Sequence, residues 1–424
     1  SGPWPTVVML HGYGGSKTSM ETSGTGSTWG LDNVSYAKRG YAVVNISDRG
    51  FGRSCGHDPA TRTSGCTHGN VHLDDTRFEA RDVQTLLGKL VDQGVADPAK
   101  LGAMGGSYGG GLSMELAFLK NRIRLYNGTY SPWTSPSGTP LSIKAVWSMI
   151  PWSNLSSALV PNGRYLDFDS NTAGLSITPA GVAIKTYISS LYAGGLSSGW
   201  YTDKGVDPDA DLTTWKDELF AGEPYSAGAL ADLKKISDYH SPFTVSGTPA
   251  AMLIENGWTD DLFPPAEALR VYMSQRAKGN NNVRLLFDDL GHPRAQNKID
   301  ALANASEYGG KFLDEQLKGI TGGPAAGSAS AMTMTCNPNG AASDRTYPSG
   351  GPFTATSWEK LHPGAMAYSS TAKKSFNQLV GVLGAPAPDK DTGNALDPMF
   401  GTSQACGTTD DLTDPDAATY TFSV

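Results

Sequence analysis

The sequence predicts an α/β fold with a mainly parallel, doubly wound sheet, and three observations carry that reading. Short apolar, β-branched runs at 6–10, 41–46, 100–104, 144–150, 250–254 and 283–287 alternate with segments whose apolar residues recur at helical spacing. The third run ends in a small-residue turn built around a serine, Gly105-Gly106-Ser107-Tyr108-Gly109. The last two runs are followed by an acidic turn and by Gly291-His292.

In chain order, Thr6-Val7-Val8-Met9-Leu10 reads as a buried strand feeding His11-Gly12-Tyr13-Gly14-Gly15, a loop suited to receiving a developing oxyanion. The apolar spacing of Val83, Leu86, Leu87, Leu90 and Val91 is helical, and Leu112, Leu116 and Leu119 repeat it after the serine turn. G-x-S-x-G alone is weak in a chain with 51 glycines. A strand before it and a helix after it make it a nucleophile elbow, where a tight turn lifts the serine hydroxyl above the sheet and bulky neighbours would collide with adjacent backbone. Between Pro151 and Pro249 the alternation breaks into Gly, Ser, Tyr, Trp and short helical pieces, the pattern of a cap insertion. The expected organisation is therefore core 1–150, cap 151–248, core 249–320, and a C-terminal β-rich domain over 321–424.

Serine, acid and histidine in that order, each after a strand, is the chain order of the α/β-hydrolase triad. Ser107 is then the nucleophile, His292 the base that takes its proton, and Asp260 the carboxylate that orients the imidazole. Asp261 is adjacent, and Asp260 is preferred because its spacing between Gly257 and Phe263-Pro264 suits a tight turn presenting an acid. Tyr108 N–H supplies one oxyanion donor, and His11 is expected to brace the loop. This chemistry needs no metal or organic cofactor.

The combination of Asp48-Arg49-Gly50-Phe51-Gly52-Arg53-Ser54-Cys55-Gly56, Gly105-Gly106-Ser107-Tyr108-Gly109-Gly110, Gly257-Trp258-Thr259-Asp260 and Gly291-His292 resembles the cocaine-esterase and X-prolyl dipeptidyl-peptidase group of serine hydrolases. The resemblance covers roughly residues 6–320 in ordered blocks. It implies an α/β-hydrolase core with a helical cap and a C-terminal jelly roll, acting on esters, amides or proline-containing peptides. It also implies that a tyrosine side chain, here Tyr13, joins the Tyr108 amide in the oxyanion hole; a backbone amide of the same loop is an equal alternative. Against that pattern the first strand begins within ten residues of Ser1 and 325–424 reads as too short and loop-like for a whole jelly roll, with 417–424 a strand that stops. A fragment of a longer chain is expected.

Composition narrows the classes further. With a net charge of −8 and 17% charged residues nothing suggests a nucleic-acid surface, and no apolar run reaches membrane-spanning length. Cys55 and Cys66 flank one loop while Cys336 and Cys406 fall near the C-terminus, so two local disulfides and an extracellular location are the economical reading, with free thiols or a zinc site as alternatives. Asp207, Asp209 and Asp211 alternate as calcium ligands can, but the run lacks the glycine and later Glu of an EF-hand loop.

The cap is expected to decide the substrate, a small ester, amide or short peptide. Trp133, Trp152 and Trp258 are its pocket candidates, with Tyr165, Trp200, Tyr201 and Trp215 as further aromatic walls. Asp167, Asp169 and Glu218 could receive a peptide amino terminus in an exopeptidase. The reading is a secreted serine hydrolase of esterase or acylase type. Its rivals are an X-prolyl exopeptidase and, outside enzymes, a polymer- or cell-surface-binding protein on a hydrolase scaffold.

Overall fold

The computed structural model describes residues 2–22, 31–161, 180–222, 224–292, 295–341, 344–364, 370–374 and 420. Eight strands form one sheet: β1 (Trp4–Leu10), β2 (Ala42–Asn45), β3 (Ala96–Gly106), β4 (Ile143–Met149), β5 (Ala251–Gly257), β6 (Val283–Asp288), β7 (Ala329–Thr333) and β8 (Gly350–Ala355). Their spatial order is β8-β7-β6-β5-β4-β3-β1-β2, parallel throughout except for the antiparallel β7–β8 edge. Strands sheltered on both faces can be apolar at every position rather than alternating, and Val7, Val8, Leu253 and Ile254 are indeed all fully buried.

Helices cover the two faces. On one side α1 (Glu79–Asp92), α2 (Tyr108–Leu119) and α6 (Pro265–Ala277) place Val83, Leu87, Leu112, Leu116 and Val271 against the sheet. On the other, α7 (Ile299–Lys318) contributes Phe312, Leu313 and Leu317 around Trp147. All six strand runs read for the core are found, and the arrangement is that of an α/β-hydrolase core.

Between β4 and β5 lie α3 (Lys185–Ser198), α4 (Leu212–Ala221) and α5 (Ala227–Tyr239), which pack Tyr187, Trp215 and Ile236 over the ends of the strands. Asp207 and Asp209 tie this insertion to the core: Asn70 Nδ2 and His72 Nε2 both lie 3.1 Å from Asp207, and Arg77 donates to Asp209 at 3.0 Å. Asp211 instead caps α4 through Thr214 N at 3.0 Å. Each of the three carboxylates thus has a structural task.

One boundary differs from the expectation. Residues 329–333 and 350–355, assigned to a separate C-terminal domain, extend the core sheet through Leu285↔Ala329 and Phe353↔Ala331 pairing. Their small, weakly β-forming residues conceal strands whose partners, β6 for Ala329–Thr333 and β7 for Gly350–Ala355, are set by the tertiary fold. Tyr165, Asp167, Asp169, Cys406 and the strand expected over 417–424 lie outside the described residues.

Cys55 and Cys66 form a disulfide, and none of the described cysteines is a free thiol. No helix among the described residues is long and apolar enough to cross a membrane. Closing an eleven-residue separation restricts the unfolded chain by about 3 kcal/mol. Replacing both cysteines by serine is expected to lower unfolding free energy by about that amount, and denaturation curves matching wild type would contradict it.

In the core, Trp147 Nε1 donates to Glu255 Oε2 at 2.7 Å while burial pushes the Glu255 carboxyl up to about 8. From the ordinary value of 4.5 up to about 8 the folded chain therefore holds a proton that the unfolded chain has lost. The stability from this group is complete below the lower value and drains away as pH rises toward the upper one. Against Glu255→Gln, which does not titrate, wild type is expected to lose roughly 1 kcal/mol per pH unit between pH 5 and 8. Parallel urea-denaturation profiles across that interval would rule this out.

Candidate active site

Ser107 sits where β3 turns into α2, with φ 58° and ψ −115°. The chain accepts that geometry because α2 begins pressed against β1: a Cβ on Gly109 would collide with the Leu10 carbonyl, and one on Gly105 would come within 2.6 Å of the same oxygen. Ser107 N donates to Met149 O of β4 at 3.0 Å, which fixes the turn from the other side. No acceptor takes the Tyr108 N–H among the described residues. As the first amide of α2 it is one of the unsatisfied donors at a helix N-terminus, available to a developing negative charge.

His292 and Asp260 come from the loops after β6 and β5. Ser107 Oγ and His292 Nε2 are 2.7 Å apart, and His292 Nδ1 lies 2.7 Å from Asp260 Oδ2. The Asp260 carboxylate is buried and also accepts from His292 N at 3.1 Å, Leu262 N at 3.1 Å and Phe263 N at 2.9 Å, so it is held as an acceptor facing the ring. Close approach requires Gly291: with φ at 146°, a Cβ there would lie 2.7 Å from Asp260 Oδ2. The neighbouring acid turns away, and Asp261 Oδ1 accepts from Tyr187 Oη of α3 at 2.5 Å.

Tyr13, on the loop after β1, packs edge-on against Phe51 and Tyr108, and its hydroxyl is bonded to that of Tyr201. His11 braces this loop, with Nδ1 2.8 Å from Gly12 O and Nε2 accepting from Asp48 N at 3.0 Å. Burial lowers the His11 pKa, in keeping with a neutral ring. Tyr108 Oη accepts from Asp74 N at 3.0 Å, anchoring the residue whose amide faces the site. Carboxyls packed near it would oppose an oxyanion if charged. Burial instead pushes Asp48 up to about 8 and raises Asp74 well above the carboxylate range, so both are neutral at ordinary pH, while Glu79 is pushed up to about 7.

Ser107 opens on an apolar cleft of about 770 Å³ of non-protein space. Trp152 lines it, its ring seated over Gly111 and its indole N–H donating to His240 O at 2.8 Å. Tyr13, Tyr201 and Trp215 line it too, with Leu155, Ile188, Leu191 and Leu219 from the insertion. The spacing of Tyr187, Ile188 and Leu191 along α3 was the available sequence signal for that wall. Lys216 is the one charged side chain among the described lining residues.

Trp133 and Trp258 do not reach the cleft, which corrects their assignment as pocket walls. Trp133 is core, donating to Gln84 O at 3.2 Å. Trp258 packs 4.8 Å from the Phe287 ring and donates to Met332 O at 2.6 Å, drawn aside by β7, the strand that sequence reasoning placed in another domain. Trp200 stacks under Arg62, and Glu218 also lies outside the cleft lining.

Residues 1–123 match the model of the X-Pro dipeptidyl-peptidase (S15) family, in keeping with the resemblance read from the Asp48–Gly56 and Gly105–Gly110 motifs. No curated protein sequence matches. Among solved structures, a Mycobacterium tuberculosis puromycin-hydrolyzing peptidase is similar at 16% identity and TM-score 0.42, over 75% of this chain and 35% of that one. Pyrococcus horikoshii acylaminoacyl peptidase gives 13% and 0.44, over 76% and 38%. Acetyl xylan esterase 1 from a Thermoanaerobacterium species gives 18% and 0.34, over 68% of each. The chain therefore spans little more than a third of the length of those two peptidases.

The separate bonding of the two adjacent acids yields a test. Asp260→Asn is expected to cut kcat by about 10⁴ by favouring the wrong imidazole tautomer, whereas Asp261→Asn stays within about tenfold because its carboxylate is bonded to Tyr187 of α3 and not to the imidazole. Equal losses in steady-state assays would show that the acids are not divided in this way.

Proposed function

We propose that the chain is a secreted serine hydrolase that cleaves ester or amide bonds through an acyl-enzyme on Ser107. The observation that carries this reading is the hydrogen-bonded series Ser107, His292, Asp260 at the mouth of an apolar cleft. His292 Nε2 takes the serine proton as Oγ bonds to the carbonyl carbon, and Asp260 stabilises the imidazolium. The tetrahedral oxyanion is received by Tyr108 N–H and Tyr13. Collapse expels the alcohol or amine with the proton from His292, and water then repeats the sequence to release the acid.

The cleft favours substrates with an apolar acyl group, since its walls are aliphatic and aromatic and Lys216 is the one charged side chain among the described lining residues. The X-Pro dipeptidyl-peptidase match over residues 1–123 supports an alternative exopeptidase reading. Such an enzyme needs an anion to receive the substrate ammonium, and no carboxylate lines the cleft among the described residues. That weighs toward ester or acyl-amide hydrolysis. The Cys55–Cys66 disulfide supports an extracellular location.

Purified protein assayed side by side on aryl esters of increasing acyl length and on an alanyl-prolyl anilide, with Ser107→Ala as blank, tests the proposal. Ester turnover rising with acyl length and abolished in the blank is expected. Turnover confined to the anilide would shift the assignment to the exopeptidase, and failure of a fluorophosphonate to label folded wild-type protein would end the hydrolase reading altogether.

A further inference from the structure

We propose that Tyr201, a residue of the insertion, is a positioning residue for the oxyanion hole: its hydroxyl donates to Tyr13 and thereby frees the Tyr13 proton for the developing oxyanion. This rests on the reading of Ser107 as nucleophile. Tyr13 and Tyr201 both line the cleft onto which Ser107 opens, and their hydroxyls are hydrogen-bonded to one another. Among the described residues neither phenol has another hydrogen-bond partner. Each carries one proton and the bond between them consumes one, so a single phenolic proton is left for the cleft.

Either hydroxyl can be the donor in this bond, and the proposed direction leaves the free proton on Tyr13, whose loop is joined to the elbow. Tyr13 sits on the loop leaving β1, whose last residue Leu10 pairs with Gly105 of the elbow, so its backbone is fixed relative to Ser107. Tyr201 is clamped from outside: Trp200 N donates to Gly50 O at 2.8 Å, Val71 N donates to Trp200 O at 3.0 Å, and Phe51 and Gly199 form a bridge. The room for the pair comes from Gly195 of α3, where a Cβ would overlap the Tyr201 hydroxyl and lie 2.6 Å from that of Tyr13. Burial, first among causes, raises the pKa of both phenols, so both are neutral donors across the working range. A donor already accepting a hydrogen bond is polarised toward giving its own proton. The insertion would then set the hole as well as shape the cleft.

The test compares Tyr201→Phe, Tyr13→Phe and the double variant on one aryl ester, with melting temperature as a check on folding. Tyr13→Phe is expected to lower kcat about 100-fold, and Tyr201→Phe about tenfold with KM within twofold of wild type. The double variant should fall no further than Tyr13→Phe, because Tyr201 acts only through Tyr13. Gly195→Ala, which displaces the pair without removing a hydroxyl, should resemble Tyr201→Phe in kcat. Losses that multiply in the double variant, an effect on KM alone, or an unchanged Tyr201→Phe in an active enzyme would each overturn the proposal. Wild type that neither turns over ester nor takes up a fluorophosphonate would overturn the hydrolase reading and this inference together, which distinguishes the two failures.

Discussion

The site depends on one steric constraint, the contact of the Gly109 α-carbon with the Leu10 carbonyl. Because α2 begins directly against the end of β1, the chain between β3 and α2 has no room for a relaxed connection, and Ser107 is forced to positive φ. Such a residue costs on the order of 1–3 kcal/mol and persists only where its surroundings over-determine it. Here they do: Ser107 N is bonded to β4, and Gly110 and Gly111 are closed in by Met149 and Trp152. The same contact aligns the end of β1 with the elbow and so delivers the His11–Gly15 loop to the serine. Ser107 and the His11–Gly15 loop are thus placed by a single packing decision, made at the buried ends of β1 and β3.

Around that point the protein manages charge by burial. Asp48 and Asp74 are buried near Tyr108, and as anions they would oppose an oxyanion. Desolvation keeps them protonated, whereas the carboxylate the proposed chemistry needs as an anion, Asp260, accepts three backbone amides and the imidazole. Acids of one type thereby serve opposite electrostatic roles according to whether donors face them. The cleft wall, nearly free of charge, continues the same low-dielectric environment, in which a fixed N–H or phenol is worth more than it would be in water.

What the sequence made legible was whatever local rules dictate. The six strand runs, the elbow and the acid and histidine turns each follow from periodicity or from residues a turn demands, and all appear where the spacing placed them. Aromatic roles were not legible, because a tryptophan looks alike in sequence whether it packs on a helix or lines a cleft. Trp133 and Trp258 went to the core since α1 and β7 bring backbone acceptors to their indoles, a matter of long-range packing. The continuation of the sheet into 329–355 was hidden for the same reason: Ala329–Thr333 has little strand character of its own and gains it from β6. The aliphatic wall from α3 carried a signal in its helical stripe, which composition rich in Gly and Ser obscured.

The two neighbouring aspartates show how the insertion and the core are joined at the point of chemistry. Asp260 faces inward to the imidazole and Asp261 faces outward to Tyr187 of α3, one turn holding both. Across the cleft the insertion meets the core again at the Tyr13–Tyr201 pair and along the Gly50–Trp200–Val71 backbone bridge. A displacement of α3 therefore cannot leave the site untouched. It pulls on the acid turn through Tyr187 and on the oxyanion loop through Gly195 and Tyr201. The helix that walls the cleft thus meets both sides of the site, bonded to the acid turn through Tyr187 and packed against the Tyr13–Tyr201 pair at Gly195.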